Sequence, residues 1–382
     1  MSKKLSLFGV VSTTEMQDIA CEVLESGRIA SGKYVELFES KFANLIEQQY
    51  VISTNDMTNA IHLALRLSGV TQGDEVIATA FSCMASNSPI ALCGATAVWV
   101  DFKPNSVEID LELFELSISE KTKAAIVYHV AGYPTPIDEI ESICKKHGVK
   151  LIEDCNNSLL SMVNGKYVGG FGDFSVFSFY PNRQINTTEG GMLICKNLKD
   201  YELGKKLRRF GIDSSSFRNS LGEINSQSDI PIASYSMNMN NLCAALGYSQ
   251  IDDVKDNAII AQNNAQLYNE LFLDNPSVRI MSILEGAKAV FWVYLVQVDD
   301  RDKVIELMKE HEISVSSLHQ RNDIYSCFSS SDNNSLDNIA DLQKTILALP
   351  CGWWLSRKDI EYIANILNLI TSKTISSFNN EI

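Results

Sequence analysis

Residues 177–191 read Phe177-Ser-Phe-Tyr-Pro-Asn-Arg-Gln-Ile-Asn-Thr-Thr-Glu-Gly-Gly191. An apolar, strand-like opening gives way to a polar turn and a glycine pair, and a second apolar run, Gly191–Cys195, follows. By local chemistry alone this is a tight connection between two strands, with Gly190 and Gly191 supplying backbone angles that other residues avoid. Arg183 stands in the middle of the turn.

Outward from this segment, strand-like runs alternate with helical ones: Tyr50–Ser53, a helix over 58–68, Glu75–Ala80, a helix over 85–93, Ala97–Phe102, Ala124–His129, a helix over 137–147, Lys150–Glu153 and Phe174–Phe179. Such alternation predicts a mostly parallel sheet with helices on both faces. Ligands of such sheets bind beyond the carboxyl ends of the strands, and Asn55-Asp56, Glu153-Asp154 and Tyr180 to Glu189 all fall there. Nearer the N-terminus, Ser12-Thr-Thr-Glu15 has the capping-box pattern ahead of an apolar-periodic run that Gly27 closes. A second helix carries Leu37, Phe38, Phe42, Leu45 and Ile46 at helical spacing. Beyond residue 200, helices are interrupted by a polar surface excursion, Asp213 to Asp229. Past 276 the pattern predicts a strand over Ala289–Val298, a helix over 302–311, a short strand near Ile313 and a last helix over 357–368. A chain of 382 residues exceeds what one core sustains, so two domains are expected: a large one over 1–255 and a small α/β one over 256–382. Gly169-Gly-Phe-Gly172 is no dinucleotide fingerprint, because no strand feeds it into a helix.

Composition narrows the function. A net charge of −15 with no block of basic residues excludes nucleic acid as a partner, while a local Arg or Lys in a cleft still admits an anionic small substrate. The N-terminus lacks a sustained apolar run, and Ala289 to Val296 is too short to span a bilayer; a cytoplasmic protein without a membrane partner is expected. Nine cysteines without metal-type spacing read as buried small hydrophobes, and no metal is expected.

The 177–191 segment resembles the Ser-Phe-x-Pro-x-Lys-x-Ile-Thr-Thr-Gly-Glu-Gly-Gly phrase of the DegT/DnrJ/EryC1/StrS sugar aminotransferases at identical spacing, with Arg183 at the lysine position. The likeness continues in order along the chain through Gly27 to Ala43, Gly73-Asp-Glu-Val-Ile77, Gly94 to Asp101, His129-Val-Ala-Gly132, Lys145-Lys-His-Gly148, Glu153-Asp154, Asn164 to Gly169, Met239 to Gly247 and Leu349-Pro350. It implies the type I pyridoxal-phosphate-dependent transferase fold, like that of aspartate aminotransferase, with a mostly parallel central sheet and a small C-terminal domain. It also implies a homodimer with shared active sites, and a nucleotide-linked keto sugar aminated at the expense of glutamate.

By the same resemblance Arg183 takes the catalytic Schiff-base position. Met57, Thr58, Cys83, Asp154, Asn157, Ser178 and Ser236 take the cofactor-binding positions, and Arg28, Glu189, Asn238 and His319 those around the substrate. Asp154 matches the carboxylate for the pyridine nitrogen, and Ser178 a phosphate-binding serine. Elsewhere the pattern breaks. Asp56-Met57-Thr58 replaces the phosphate-cradling Ser-Gly-Thr, Cys83 an aromatic that stacks on the ring, Asn157 a glutamine, Ser236 an asparagine that reaches the neighbouring subunit, and Asn238 an arginine. A guanidinium stays protonated and has no lone pair for a Schiff base. Pyridoxal or pyridoxamine phosphate is therefore non-covalent if bound at all. Three readings follow: an enzyme using pyridoxamine phosphate without an internal aldimine, as in the family's 3-dehydratase branch; a non-catalytic or repurposed member that binds a sugar nucleotide or partner subunit; and an aminotransferase whose lysine was replaced to trap an intermediate.

Overall fold

The computed structural model describes residues 4–10, 12–328 and 335–378, with side chains to residue 372. Helices α1 (Thr14–Glu25) and α2 (Lys33–Leu45) lead into β1 (Tyr50–Thr54) and α3 (Met57–Leu67). Then come β2 (Glu75–Ala78), α4 (Met84–Leu92), β3 (Thr96–Trp99), α5 (Leu111–Leu116), β4 (Thr122–Tyr128), α6 (Ile137–His147) and β5 (Lys150–Asp154). A hairpin of β6 (Met162–Val163) and β7 (Lys166–Tyr167) precedes β8 (Phe174–Ser178) and β9 (Gly191–Cys195).

Seven of these strands form one sheet in the order β1-β9-β8-β5-β4-β2-β3. The run from β8 to β3 is parallel throughout, as the alternation predicts. Antiparallel pairings enter only where the 177–191 turn reverses the chain, between β8 and β9, and where β9 meets β1. The inner strands are apolar on both faces, as in Ala124–Tyr128 and Leu151–Ile152, which is what helices on both sides require. α3 shows how: its N-terminal half lies over strand ends, and Ala60, Ile61, Leu63, Ala64 and Leu65 are buried.

The C-terminal part follows α7 (Leu198–Leu207) and α8 (Asn241–Gln250), against which α1 and α2 pack. It comprises α9 (Val254–Phe272), β10 (Arg279–Ile280), β11 (Ala287–Lys288), β12 (Tyr294–Gln297), α10 (Arg301–Glu310), α11 (Asp337–Thr345), β13 (Ile346–Leu349) and α12 (Arg357–Phe378). β10, β12 and β13 make an antiparallel sheet, and β11 adds to the β6–β7 hairpin. Among the described residues no helix is long and apolar enough to cross a membrane.

Several expectations need correction. The strand expected over Ala289–Val298 shrinks to Tyr294–Gln297, because Phe291 takes a positive φ of 34° and turns the chain. Near Ile313 there is only a bridge to Leu5. Thr13, not Ser12, caps α1, its hydroxyl accepting the amide of Met16 at 3.1 Å. The glycine pair has another purpose than the one expected: the positive φ sits at Thr188, at 68°. A Cβ on Gly190 would lie 2.3 Å from Thr187 Oγ1, and one on Gly191 2.6 Å from the Asp56 carbonyl. Close approach, not backbone freedom, therefore demands glycine there. Of the cysteines, Cys144, Cys155, Cys195 and Cys351 are buried, whereas Cys21 and Cys327 are exposed.

Candidate active site

Strand ends converge where the parallel order predicts. β5 delivers Asp154, β8 delivers Ser178, the turn after β8 delivers Arg183, and the β1–α3 junction delivers Asp56, Met57 and Thr58. With the start of α4 and the 316–319 segment, all of these but Asp154 line a cavity of about 470 Å³. Met57, Thr58, Cys83, Ser178, Arg183, Glu189 and His319 all line it, as do Phe8, Asn156, Asn182 and Trp292. Its size suits a small-molecule ligand.

Asp154 lies behind the floor of this cavity, fully buried. Its Oδ2 accepts the Ser86 hydroxyl at 2.5 Å, and its Oδ1 accepts both the backbone amide and the side-chain amide of Asn156, at 3.1 and 2.9 Å. Burial pushes its carboxyl up from the usual range against these bonds. Ser86 lies one helical turn beyond Cys83, so the residue that holds Asp154 belongs to the same start of α4 that lines the site.

Beside it runs a polar chain centred on Tyr128, at the end of β4. The phenol oxygen accepts N–H groups from Ala131 (3.2 Å) and from Asn157 (2.6 Å). With both lone pairs used, its proton points to His319 Nε2 at 3.2 Å. His319 must then be neutral, in keeping with burial and the nearby Arg183, which push its imidazole down to about 4. Burial also pushes the Tyr128 phenol up, so this chain holds its protons through neutral pH.

Arg183 does not pair with Asp154. Its Nη1 donates to Asn182 Oδ1 at 2.5 Å, and its guanidinium carbon lies 4.6 Å from the centre of the Trp292 ring. Among the described residues the buried Nε has no hydrogen-bond partner. Trp292 is fixed in turn, stacked on Phe8 at 4.6 Å and donating from its indole nitrogen to the Asn182 carbonyl at 2.7 Å.

At the other end of the cavity, Asp56 caps α3, accepting the Asn59 backbone amide at 2.8 Å and the Asn59 side chain at 2.7 Å. Glu189 stands nearby, and burial together with Asp56 pushes its carboxyl up. The helix terminus that would receive an anion is thus occupied by a carboxylate of its own chain.

Not all expected residues meet. Asn157 lies behind the wall through Tyr128. Arg28, Ser236 and Asn238 do not line this cavity; Asn238 borders a separate one of about 790 Å³ between α2 and Arg208. Sequence reasoning missed Ser86, Tyr128, Asn182 and Trp292. The first had a signal in its spacing from Cys83, whereas Trp292 reaches Arg183 across 109 positions that carry no local signal.

The parallel sheet, the site at its strand ends and the antiparallel return after β8 define a protein of the type I pyridoxal-phosphate-dependent transferase fold. A sequence profile of the DegT/DnrJ/EryC1/StrS aminotransferase family matches residues 11–368, and the chain belongs to that family. It is 32% identical over 307 residues to the GDP-perosamine synthase of Vibrio cholerae, covering 80% of this chain and 79% of that one. AtS13 of Actinomadura melliaura superposes with a TM-score of 0.89 at 29% identity, covering 96% and 99% of the two chains. Spr1654 of Streptococcus pneumoniae, solved in its PMP form, shares the fold with a TM-score of 0.87 at 23% identity, covering 96% and 98%. Members of the family use pyridoxal or pyridoxamine phosphate.

Against this background the donor set divides. At the position that the resemblance assigns to the ring nitrogen, a buried carboxylate, Asp154, stands ready. At the position it assigns to the Schiff-base lysine, Arg183 has no amine to offer. At the positions it assigns to the phosphate, Asp56 and Glu189 would oppose a dianion, and Met57 stands where it expects a glycine. The residues as a set do not fit a covalently anchored pyridoxal phosphate.

Proposed function

We propose that this chain is a DegT-family protein of nucleotide-sugar metabolism that binds a nucleotide-linked sugar in the cleft above β5 and β8 without forming an internal aldimine. The observation that carries the reading is Arg183: the one position that must supply a neutral amine carries a permanent cation instead, held against Trp292. A relative named for GDP-perosamine synthesis supports the ligand class. The same reading makes the molecule a cytoplasmic homodimer. Arg28, Ser236 and Asn238 match ligand-binding positions yet lie away from their own chain's cavity, where they serve the neighbouring one; isologous pairing is the commonest assembly. It also divides the chain at 255/256, in the first turn of α9.

The test is reduction with borohydride in the presence of pyridoxal phosphate, followed by peptide mapping. The expected result is no label on the 177–191 segment, and a covalent label there overturns the reading. Arg183→Lys sharpens it. With Asp56, Met57 and Cys83 unchanged, the variant should stay colourless and inactive in transamination; recovered colour and activity would show that one residue alone had silenced an ordinary site.

A second reading, an enzyme with non-covalent pyridoxamine phosphate, rests on the retained Asp154. The cofactor would supply an amino group and an electron-accepting ring, while Asp154 would face the ring nitrogen and the Tyr128–His319 pair would border the bound group. Stoichiometric pyridoxamine phosphate in the purified protein would establish it over the first.

A further inference from the structure

The guanidinium of Arg183 is held as though for a partner that the described residues do not provide. Asn182 braces it twice over: its side-chain oxygen accepts from Nη1 at 2.5 Å, while its backbone carbonyl accepts from the indole of Trp292 at 2.7 Å, fixing the ring on which the guanidinium lies. Phe8 backs that ring at 4.6 Å with an interplanar angle of 16°. The plane of the cation is therefore set before any ligand arrives. Its charge, however, is not met. Among the described residues no carboxylate forms an ion pair with Arg183, and Nε is buried without a hydrogen-bond partner.

The contrast with Arg208 is direct. That side chain also has a buried Nε without a partner, but its Nη1 reaches Glu39 at 2.6 Å, and Ser53 adds two further acceptors. Asp154, whose charge acts on Arg183, is committed to Ser86 and Asn156. Asp56 is committed to Asn59, at the far end of the cavity. A planar, oriented cation with unused N–H groups in a ligand-sized cavity is what bidentate recognition of an oxyanion requires.

We propose that Arg183, oriented by Asn182 and Trp292, is an oxyanion clamp: a carboxylate or phosphate group of the bound ligand docks on the free edge of the guanidinium. The reversal of polarity along the cleft follows. The end that carries a phosphate in relatives is acidic here, and the centre, where an amine would stand, is cationic; an anionic ligand enters with its charge turned towards Arg183. A carboxylate on the sugar ring and a phosphate of the nucleotide are the two sources of that charge. The clamp rests on the reading of the cleft as a nucleotide-sugar site, but it can be tested apart from it.

Isothermal titration of wild type and Arg183→Gln with D-glucuronate, with inorganic phosphate and with neutral D-glucose separates the cases. The expected result is that glucuronate, phosphate or both bind wild type at least ten-fold more tightly than the variant, with glucose showing no such difference. The anion that responds identifies the source. Arg183→Lys, which keeps the charge and loses the fork, should fall between them, and Asn182→Ala should weaken the same anion several-fold while circular dichroism shows an intact fold. Either of two results overturns the clamp: neither anion binds wild type, or the responding anion binds Arg183→Gln as tightly as wild type. UDP and GDP titrated in parallel keep the two ideas distinct. Oxyanion binding without nucleotide binding leaves the clamp and removes the nucleotide-sugar reading; nucleotide binding without an Arg183-dependent anion does the reverse.

Discussion

Glu153 and Asp154 are neighbours on one strand, both fully buried, and they face opposite sides of the sheet. Glu153 is closed by backbone. The amides of Gly169, Phe171 and Gly172 donate to it at 2.7, 2.6 and 2.6 Å, so one carboxylate ties down the loop before β8. His129 Nε2 lies 3.5 Å from Glu153 Oε2, and the Cys155 thiol completes a buried trio within 4.8 Å of one another. Asp154, one residue on, is held only by side chains and one amide, beside a cavity. The same acid chemistry is a rivet on one face and part of a site on the other, and the difference lies in whether the donors can turn. Backbone N–H groups are fixed; a serine hydroxyl rotates.

Substitution should expose that difference. Glu153→Gln sets an NH₂ group against amides that cannot accept, leaving buried donors opposed. It should cost about 4 kcal/mol in urea unfolding. Ser86→Ala removes the bond at Asp154 Oδ2 and should cost about 2 kcal/mol, with the Asp154 carboxyl pushed further up. Asp154→Asn is the mildest, within about 1 kcal/mol, because Asn156 can still donate to the remaining oxygen while Ser86 turns its hydroxyl to accept. Equal losses for Glu153→Gln and Asp154→Asn would break the comparison.

How far this was legible in sequence follows from the same physics. The parallel core was plain because strands buried on both faces must be continuously apolar, as Ala124–Tyr128 is, and the helices between them are periodic. Short edge pieces such as β6, β7 and β11 leave no period to read. At the site, residues adjacent to strand ends could be placed from the chain itself: Thr58, Ser178, Arg183 and Glu189 all reach the cavity. Side chains that serve them from a distance could not. Asn182 was in view as part of the turn, yet its bracing of both Arg183 and Trp292 depends on a contact between segments that only the fold brings together. The glycine pair shows the limit in miniature: two glycines signal a constraint, and only the neighbouring Thr187 and Asp56 say which.

The last expected effect is a dependence on pH in which two groups of the cavity side act with opposite signs. His319, opposite Tyr128 in the cavity wall, is held down to about 4, against about 6.5 in an unfolded chain. Between those values the unfolded state binds a proton that the folded state refuses, so stability is lost as pH falls from 6.5 towards 4, by no more than about 1.4 kcal/mol per unit. His319 is only partly buried, and solvent reduces the total to about 1 to 2 kcal/mol. Asp154 works with the opposite sign. Its carboxyl is raised, so the folded state keeps a proton that the unfolded state has released, and the wild type loses stability relative to Asp154→Asn as pH rises from the ordinary carboxylate range through the folded value. Urea midpoints of wild type, His319→Gln and Asp154→Asn between pH 4 and 7 resolve the two. The gap between wild type and His319→Gln should shift against the wild type on acidification, and the gap to Asp154→Asn should shift in its favour. Parallel curves for all three would mean that neither group is perturbed, and the proton accounting built on Tyr128 would fall with them.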